Sequence, residues 1–250
     1  MSFEGLLPDS IRRSYLRKFA LVVVAIALVI GTYGVYAQAG AVSEVKEQRQ
    51  SELRTLSTEE AGELGQYLET QRDRAGLLAE NNDFQQGAAT RGNLGIRASL
   101  GNQRERFDDN VYAIHYVDRD TEEIVVSTKP DDEGRLLNAP GIAWQNSLIF
   151  ENESDVDGSS VYTHDGNSLL AFASPIENTN KMIVLAVDAS RVGADFSNSI
   201  EGGKTLAVGD QGRIEFSPNN SEILSRYEGG ENATEIRRGI DGESGTTVGN

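Results

Sequence analysis

The run from Phe19 to Val42 contains no charged residue. As a helix it extends about 36 Å, against a bilayer hydrocarbon core of about 30 Å, and this predicts a transmembrane helix. Residues 43–80 then read as a long amphipathic helix. Leu53, Leu56, Leu64, Leu68, Leu77 and Leu78, with Tyr67 and Ala75, recur at spacings near three and four between Glu, Gln and Arg. Gly62 and Gly65 soften its middle. The narrow stripe suits packing on a sheet, packing on a second copy of itself, or both. Asn81-Asn82-Asp83 marks a break before a weaker helix from Phe84 to Arg106, interrupted by Gly87, Gly92, Gly95 and Gly101.

From Val111 the period changes to that of strands. Val111–Val117 and Glu123–Thr128 form one pair about the turn Asp118–Glu122. A loop from Lys129 to Asn138 follows, with a short helix over Ala143–Phe150. Ser159–His164, Ser168–Ile176 and Lys181–Asp188 form a three-strand meander through the turns Asp165-Gly166-Asn167 and Asn178-Thr179-Asn180. A short helix over Ala189–Ser199 leads to a second group, Thr205–Val208 and Arg213–Phe216 about Gly209-Asp210-Gln211-Gly212. Ile223-Leu224 opens a further helix. Two strands cannot make a stable sheet domain alone, so this second group is an incomplete module.

Charge orients the chain. Residues 1–18 hold Glu4 and Asp9 against Arg12, Arg13, Arg17 and Lys18, a net of +2, so the remainder of the −16 chain carries −18. Basic flanks stay inside, which predicts a cytoplasmic N-terminus and places everything after about residue 43 outside the cell. Tyr33 and Tyr36 suit the outer interface. Two other readings compete with a retained anchor. Ala37-Gln38-Ala39 has the form of a signal-peptidase site, and Arg12-Arg13-Ser14-Tyr15-Leu16 resembles a twin-arginine export signal. The apolar stretch exceeds the roughly 7–15 residues of a signal core, which favours the anchor. The sequons at Asn152, Asn219 and Asn232 agree with an outside location.

So acidic a surface repels nucleic acid, which is excluded as a partner. Five of the 23 basic residues are Lys, and Cys is absent. High Asp and Glu with little Lys resembles proteins of salt-loving archaea. In molar salt the Debye length falls to about 3 Å and the self-repulsion is screened. Without Cys there are no disulfides, no thiol catalysis and no thiolate metal sites.

An anchor, a long emerging helix and an antiparallel sheet of about five strands occur in the order of Cache-type extracellular sensor domains. The opening Pro8-Asp9-Ser10-Ile11-Arg12-Arg13-Ser14-Tyr15-Leu16-Arg17-Lys18-Phe19 resembles the start of haloarchaeal methyl-accepting chemotaxis transducers. So do Val161-Tyr162-Thr163-His164-Asp165-Gly166, Leu170–Ile176 and Ile183–Asp188. Thr205–Phe216 resembles the opening of a second, membrane-proximal module, as in double-Cache sensors. The resemblance implies an α+β fold in four parts. Residues 1–18 are cytoplasmic, and 19–42 form the transmembrane helix. Residues 43–200 are a PAS/Cache-like sensor domain, with helices over 43–106 packed on an antiparallel sheet over 111–188. Residues 201–250 begin a partial second module. It further implies a small-molecule ligand, contact with membrane lipid, a homodimer through the 43–80 helix, and cytoplasmic signalling partners reached only through segments beyond Asn250. The absence of a second apolar span before Asn250 suggests a piece of a longer receptor.

Catalytic patterns are missing: no H-E-x-x-H, G-x-S-x-G or P-loop run occurs, so no catalytic residue, metal ligand or cofactor is assigned. His115 and His164 are the only histidines, and His115 reads as a packed or surface strand residue. Asp155-Val156-Asp157-Gly158 lacks the spacing of a calcium loop and reads as a solvated turn. In an amino-acid-binding subset of the resembled family, an Arg, aromatic residues and a late Asp hold the ligand, the Asp on its amine and the Arg on its carboxylate. On that pattern Trp144, Tyr162 and Asp188 are the candidate ligand-binding residues. The Arg position holds Ile142, and Gln145 replaces an aromatic residue, which departs from the subset. Trp144 as plain core and Asp188 as a cap for the next helix are the alternatives. The expected function is ligand sensing for a chemotaxis transducer. A histidine-kinase sensor, an anchored exported enzyme and a surface protein are the other readings.

Overall fold

The computed structural model describes residue 48 and residues 51–90, 92–137, 155–195, 205–209, 211–228, 233 and 236–237. The expected transmembrane span 19–42, the short helix over 143–150 and Trp144 lie outside the described residues. Among the described residues no helix is long and apolar enough to cross a membrane. The chain divides into two compact units, Met1–Thr55 and Leu56–Asn250. In the first, residues 48 and 51–55 are helical, and Thr55 Oγ1 donates to the Ser51 carbonyl.

The second unit opens with helix α1, residues 56–79, followed by α2 (Asn82–Thr90) and α3 (Gly92–Arg104). The single helix expected over 84–106 is therefore two. Gly92 takes a φ of +61°, a left-handed conformation that glycine adopts without a Cβ penalty, and the helix restarts there. Gly95 and Gly101 lie within α3 and do not interrupt it.

The sheet contains β1 (Val111–Asp118), β2 (Ile124–Ser127), β3 (Asp157–Gly158), β4 (Tyr162–His164), β5 (Asn167–Pro175) and β6 (Lys181–Asp188). Its order is β2-β1-β6-β5-β3, with β4 also on β5, and every pairing is antiparallel. The meander β4–β5–β6 is present as read from its turns. Asp157–Gly158, expected in a solvated turn, instead pairs with Ala173 and Phe172. Helix α4 (Ala189–Ala194) follows, then the hairpin β7 (Ala207–Val208) and β8 (Ile214–Phe216).

Both faces of the sheet are buried, which explains the near-continuous apolar run Met182–Val187 where a one-sided sheet would alternate. On the first face, Ile114, Tyr116, Val126, Leu170, Phe172, Ile183, Leu185 and Val187 pack with Ala75, Leu78, Phe84, Ile96 and Leu100 of the helices. This is the work of the apolar stripe on α1, with Leu64, Tyr67 and Leu68 at its edge. The intervening residues form a separate second-face cluster that includes Ala113, Val117, Tyr162, Leu169, Ala171, Ala173, Val184 and Ala186.

A structural repeat relates the two hairpins. In the first, Ile124 N–H donates to Arg135 O (2.9 Å) and Gly134 N–H to Ile124 O (2.8 Å). In the second, Ile214 donates to Ser225 O (3.0 Å) and Leu224 to Ile214 O (2.7 Å). The 3-10 turn Pro130–Asp132 recurs as Asn220–Glu222. Ser127 Oγ accepts from Lys129 N, as Ser217 Oγ accepts from Asn219 N. The β1–β2 register shifts between Tyr116 and Val117, and the β7–β8 register between Ala207 and Val208. Ile124 corresponds to Ile214, Ser127 to Ser217 and Asp132 to Glu222, an offset of 90 each time. The helix expected at Ile223-Leu224 does not form. Leu224, at a φ of 69°, stands where Gly134 has a φ of 78°, and a left-handed residue ends the 3-10 turn instead of extending it. The second hairpin shares the first core, to which Phe216 and Ile223 both belong.

Candidate functional site

The second face has a floor of small side chains. Ala113 pairs with Ala186, and Ala186 with Ala171, so three alanines cross β1, β6 and β5 in one row. The row on one side runs Ser127, His115, Val184, Ala173. The row on the other runs Tyr162, Leu169, Asp188. The opposite face carries larger side chains, Leu, Ile and Phe, in the matching rows.

Of the three residues singled out from sequence, two are described. Tyr162, 6% exposed, stands on β4 on the second face, and its hydroxyl pKa is pushed up by burial, then by Asp132 and Tyr112. Asp188 shares its row, two strands away, which is about 10 Å. Its carboxylate accepts from Ser190 N (3.0 Å) and Arg191 N (3.4 Å), making it the N-cap of α4, and Ser190 Oγ donates to it as well. Arg191 Nε lies 3.5 Å away. Tyr162 and Asp188 thus share a face, with Leu169 between them.

A polar cluster that sequence reading missed stands over the same face. The 3-10 turn Pro130–Asp132 delivers Asp132, 1% exposed, to His164 on β4, 3% exposed. His164 Nε2 lies 2.8 Å from Asp132 Oδ1. Asp132 Oδ2 is buried with no hydrogen-bond partner among the described residues. Asp165 Oδ2 is 3.4 Å from His164 Nε2, and Arg135 Nη1 is 3.6 Å from Asp165 and 3.7 Å from Asp132. The Tyr112 ring meets His164 edge-on at 5.9 Å and carries Lys129 Nζ 3.6 Å above it.

His115, on β1, is buried beside this cluster. Its Nδ1 lies 2.9 Å from Ser127 Oγ, whose oxygen accepts from Lys129 N. Burial lowers its pKa to about 4, while Asp132 pulls upward and His164 and Lys129 pull downward. The imidazole is therefore neutral at pH 7. It is the packed histidine of the earlier alternatives, with a polar partner that its own strand does not reveal. No local spacing could have revealed the pairing, because Asp132 and His164 are 32 residues apart. The only available signal was that Asp132 closes a turn begun by Pro130.

No protein-family model matches the chain. Over 246 residues, 98% of its length, it is 30% identical to transducer protein Htr18 of Halobacterium salinarum. The chain is similar to haloarchaeal transducers. Transducer protein BasT of the same organism is 25% identical over 225 residues, 90% of the chain. The chain spans about three-tenths of the length of these relatives, 30% and 27% respectively. The sensor domain of the Vibrio cholerae histidine kinase DctB superposes with a TM-score of 0.53 at 13% identity. That match covers 69% of this chain and 68% of that one and establishes the fold. The resemblance to transducers expected from the opening and strand motifs is borne out, as is a mixed fold of helices and antiparallel sheet similar to a sensor domain.

Proposed function

We propose that the chain is the extracellular ligand-sensing region of a membrane-anchored transducer, and that it acts by binding without chemistry on its ligand. Similarity to a transducer along 98% of the chain carries this reading. The second face of the sheet is the proposed seat of a small molecule. Its floor is of small side chains, and Tyr162, Asp188 and Trp144 are the residues proposed to line it, with the Asp132–His164 cluster at one side. Asp188 has a second task as the cap of α4, and this suggests how binding could be relayed. A ligand donor that drew the carboxylate away would loosen the start of α4, whose Gly193 packs on the Ser217 backbone (2.5 Å from a Cβ position to Ser217 O). Ligand binding would then bias two arrangements of the second hairpin.

The repeat of the β1–β2 hairpin in β7–β8 supports reading residues 201–250 as the start of a second sensor module. The span 19–42 is the proposed anchor, with lipid around it and the residues after it outside the cell. The apolar stripe of 43–80 is the proposed seam of a homodimer. Cytoplasmic signalling partners belong to the longer protein.

The test is a thermal-shift screen of amino acids, small organic acids and osmolytes in molar KCl. At least one compound is expected to raise the Tm of the parent but not of Tyr162→Ala or Asp188→Asn. A complete absence of shifts at millimolar concentration, or shifts indifferent to both substitutions, rejects the proposed site.

A further inference from the structure

We propose that Asp132, His164 and Asp165 bind one divalent cation of the zinc class, with the Arg135 guanidinium as its competitor. The donor atoms of the three residues lie within 4.8 Å of one another. A set of one imidazole nitrogen and carboxylate oxygens suits zinc and its neighbours, at ligand distances of about 2.0–2.2 Å. Calcium and magnesium prefer all-oxygen sites. A second observation points to a ligand. Asp132 is 1% exposed, yet its Oδ2 has no hydrogen-bond partner among the described residues. The His164 contact satisfies Oδ1 alone, and an orphaned carboxylate oxygen is costly to bury. A cation bound by this carboxylate would compensate it.

Arg135 does not replace the ion. Its Nη1 stands 3.7 Å from Asp132 and 3.6 Å from Asp165, beyond hydrogen-bond distance of either. Its side chain is 41% exposed and can swing into solvent. The placement also gives the ion a task. Asp132 follows β2, at one edge of the sheet, whereas His164 and Asp165 belong to the β4–β5 hairpin at the other. One cation would fasten these two edges together across the face bearing the alanine floor. The site goes beyond the sensor reading and stands or falls apart from it, because metal binding is read directly.

The experiment titrates the full chain, in detergent micelles and molar KCl, with Zn²⁺ by calorimetry and with Co²⁺ by visible absorption. One ion per chain is expected. His164→Gln and Asp132→Asn are expected to weaken it at least about tenfold, as even outer-shell partners do. Asp165→Asn is also expected to weaken it, and being half-exposed it keeps the fold if the buried variants lose theirs. Arg135→Ala is expected to tighten binding, and Glu177→Gln, on a distant turn, to leave it unchanged. Zinc is further expected to raise the Tm of the parent but not of Asp165→Asn. The proposal is overturned if the parent takes up no zinc at millimolar concentration. It is equally overturned if zinc binds Asp165→Asn and Arg135→Ala as it binds the parent, since scattered surface carboxylates would then hold the metal.

Discussion

The hairpin at residues 116–137 and its copy at 207–227 share a backbone and differ in what they carry. Each has the same register shift, the same serine under its 3-10 turn, and an acid as the third residue of that turn. In the first copy the acid, Asp132, is driven under the sheet face and meets His164. In the second, Glu222 stays only partly buried and accepts from its own neighbour, Ser217 Oγ, at 2.9 Å. Local chemistry builds the turn in both places. Among the described residues, the first has a long meander that lays a histidine against it. The same motif thus serves as a polar site in one position and as packing in the other.

The sharpest way to break this comparison is to remove each acid's partner. His164→Ala leaves Asp132 buried and without its His164 contact, and is expected to cost about 4 kcal/mol. Ser217→Ala removes hydrogen bonds near a partly buried acid and is expected to cost about 1 kcal/mol. Chemical unfolding of both variants in high salt checks the ratio. Equal costs would mean that the two turns carry the same load.

Acid should act on the first copy through His115. Its folded pKa, about 4, lies below the ordinary 6.5, so between these values the unfolded chain binds a proton that the native chain does not. Its contribution is fully present above about pH 6.5 and is lost as pH falls toward 4, about 3 kcal/mol in all. Stability measured across that window should fall less steeply in His115→Gln.

A smaller effect tests the joint between the copies. A Cβ on Gly193 would sit 2.5 Å from Ser217 O and 2.7 Å from Ser217 N, and backbone cannot easily yield. Gly193→Ala is expected to cost about 2 kcal/mol, and hydrogen exchange should rise in β8 before it rises in β6. The smallest effect concerns the left-handed position shared by the turns. Gly134 faces open space, so Gly134→Ala pays only for its φ of 78°, about 1 kcal/mol. Leu224 already bears that strain in the second copy.

Much of the fold was legible. The leucine spacing of α1, the turns at Asp165-Gly166 and Asn178-Thr179-Asn180, and the long strands β1, β5 and β6 all follow from short-range pattern. Tyr162 and Asp188 could be named from a resemblance, and the structure sets them in one row. The break at Gly92 was visible as one glycine among four, but nothing local distinguished it from Gly95 and Gly101. The Asp132–His164–His115 cluster was illegible, and of the repeat only a second strand pair was legible and not its offset of 90, because both depend on backbone geometry that few identical residues preserve.

By itself the sequence determined where most of the long strands and α1 form, which stripe of α1 seeks a core, and that the chain carries a strongly negative net charge. Each of these follows from neighbours within a few residues or from summed charge. Only the tertiary structure decided that both sheet faces are buried, that one is lined with alanine, and that two distant histidines converge beside one buried aspartate. Side chains 32 residues apart meet only when strand order and register bring them together, and no local spacing encodes that meeting.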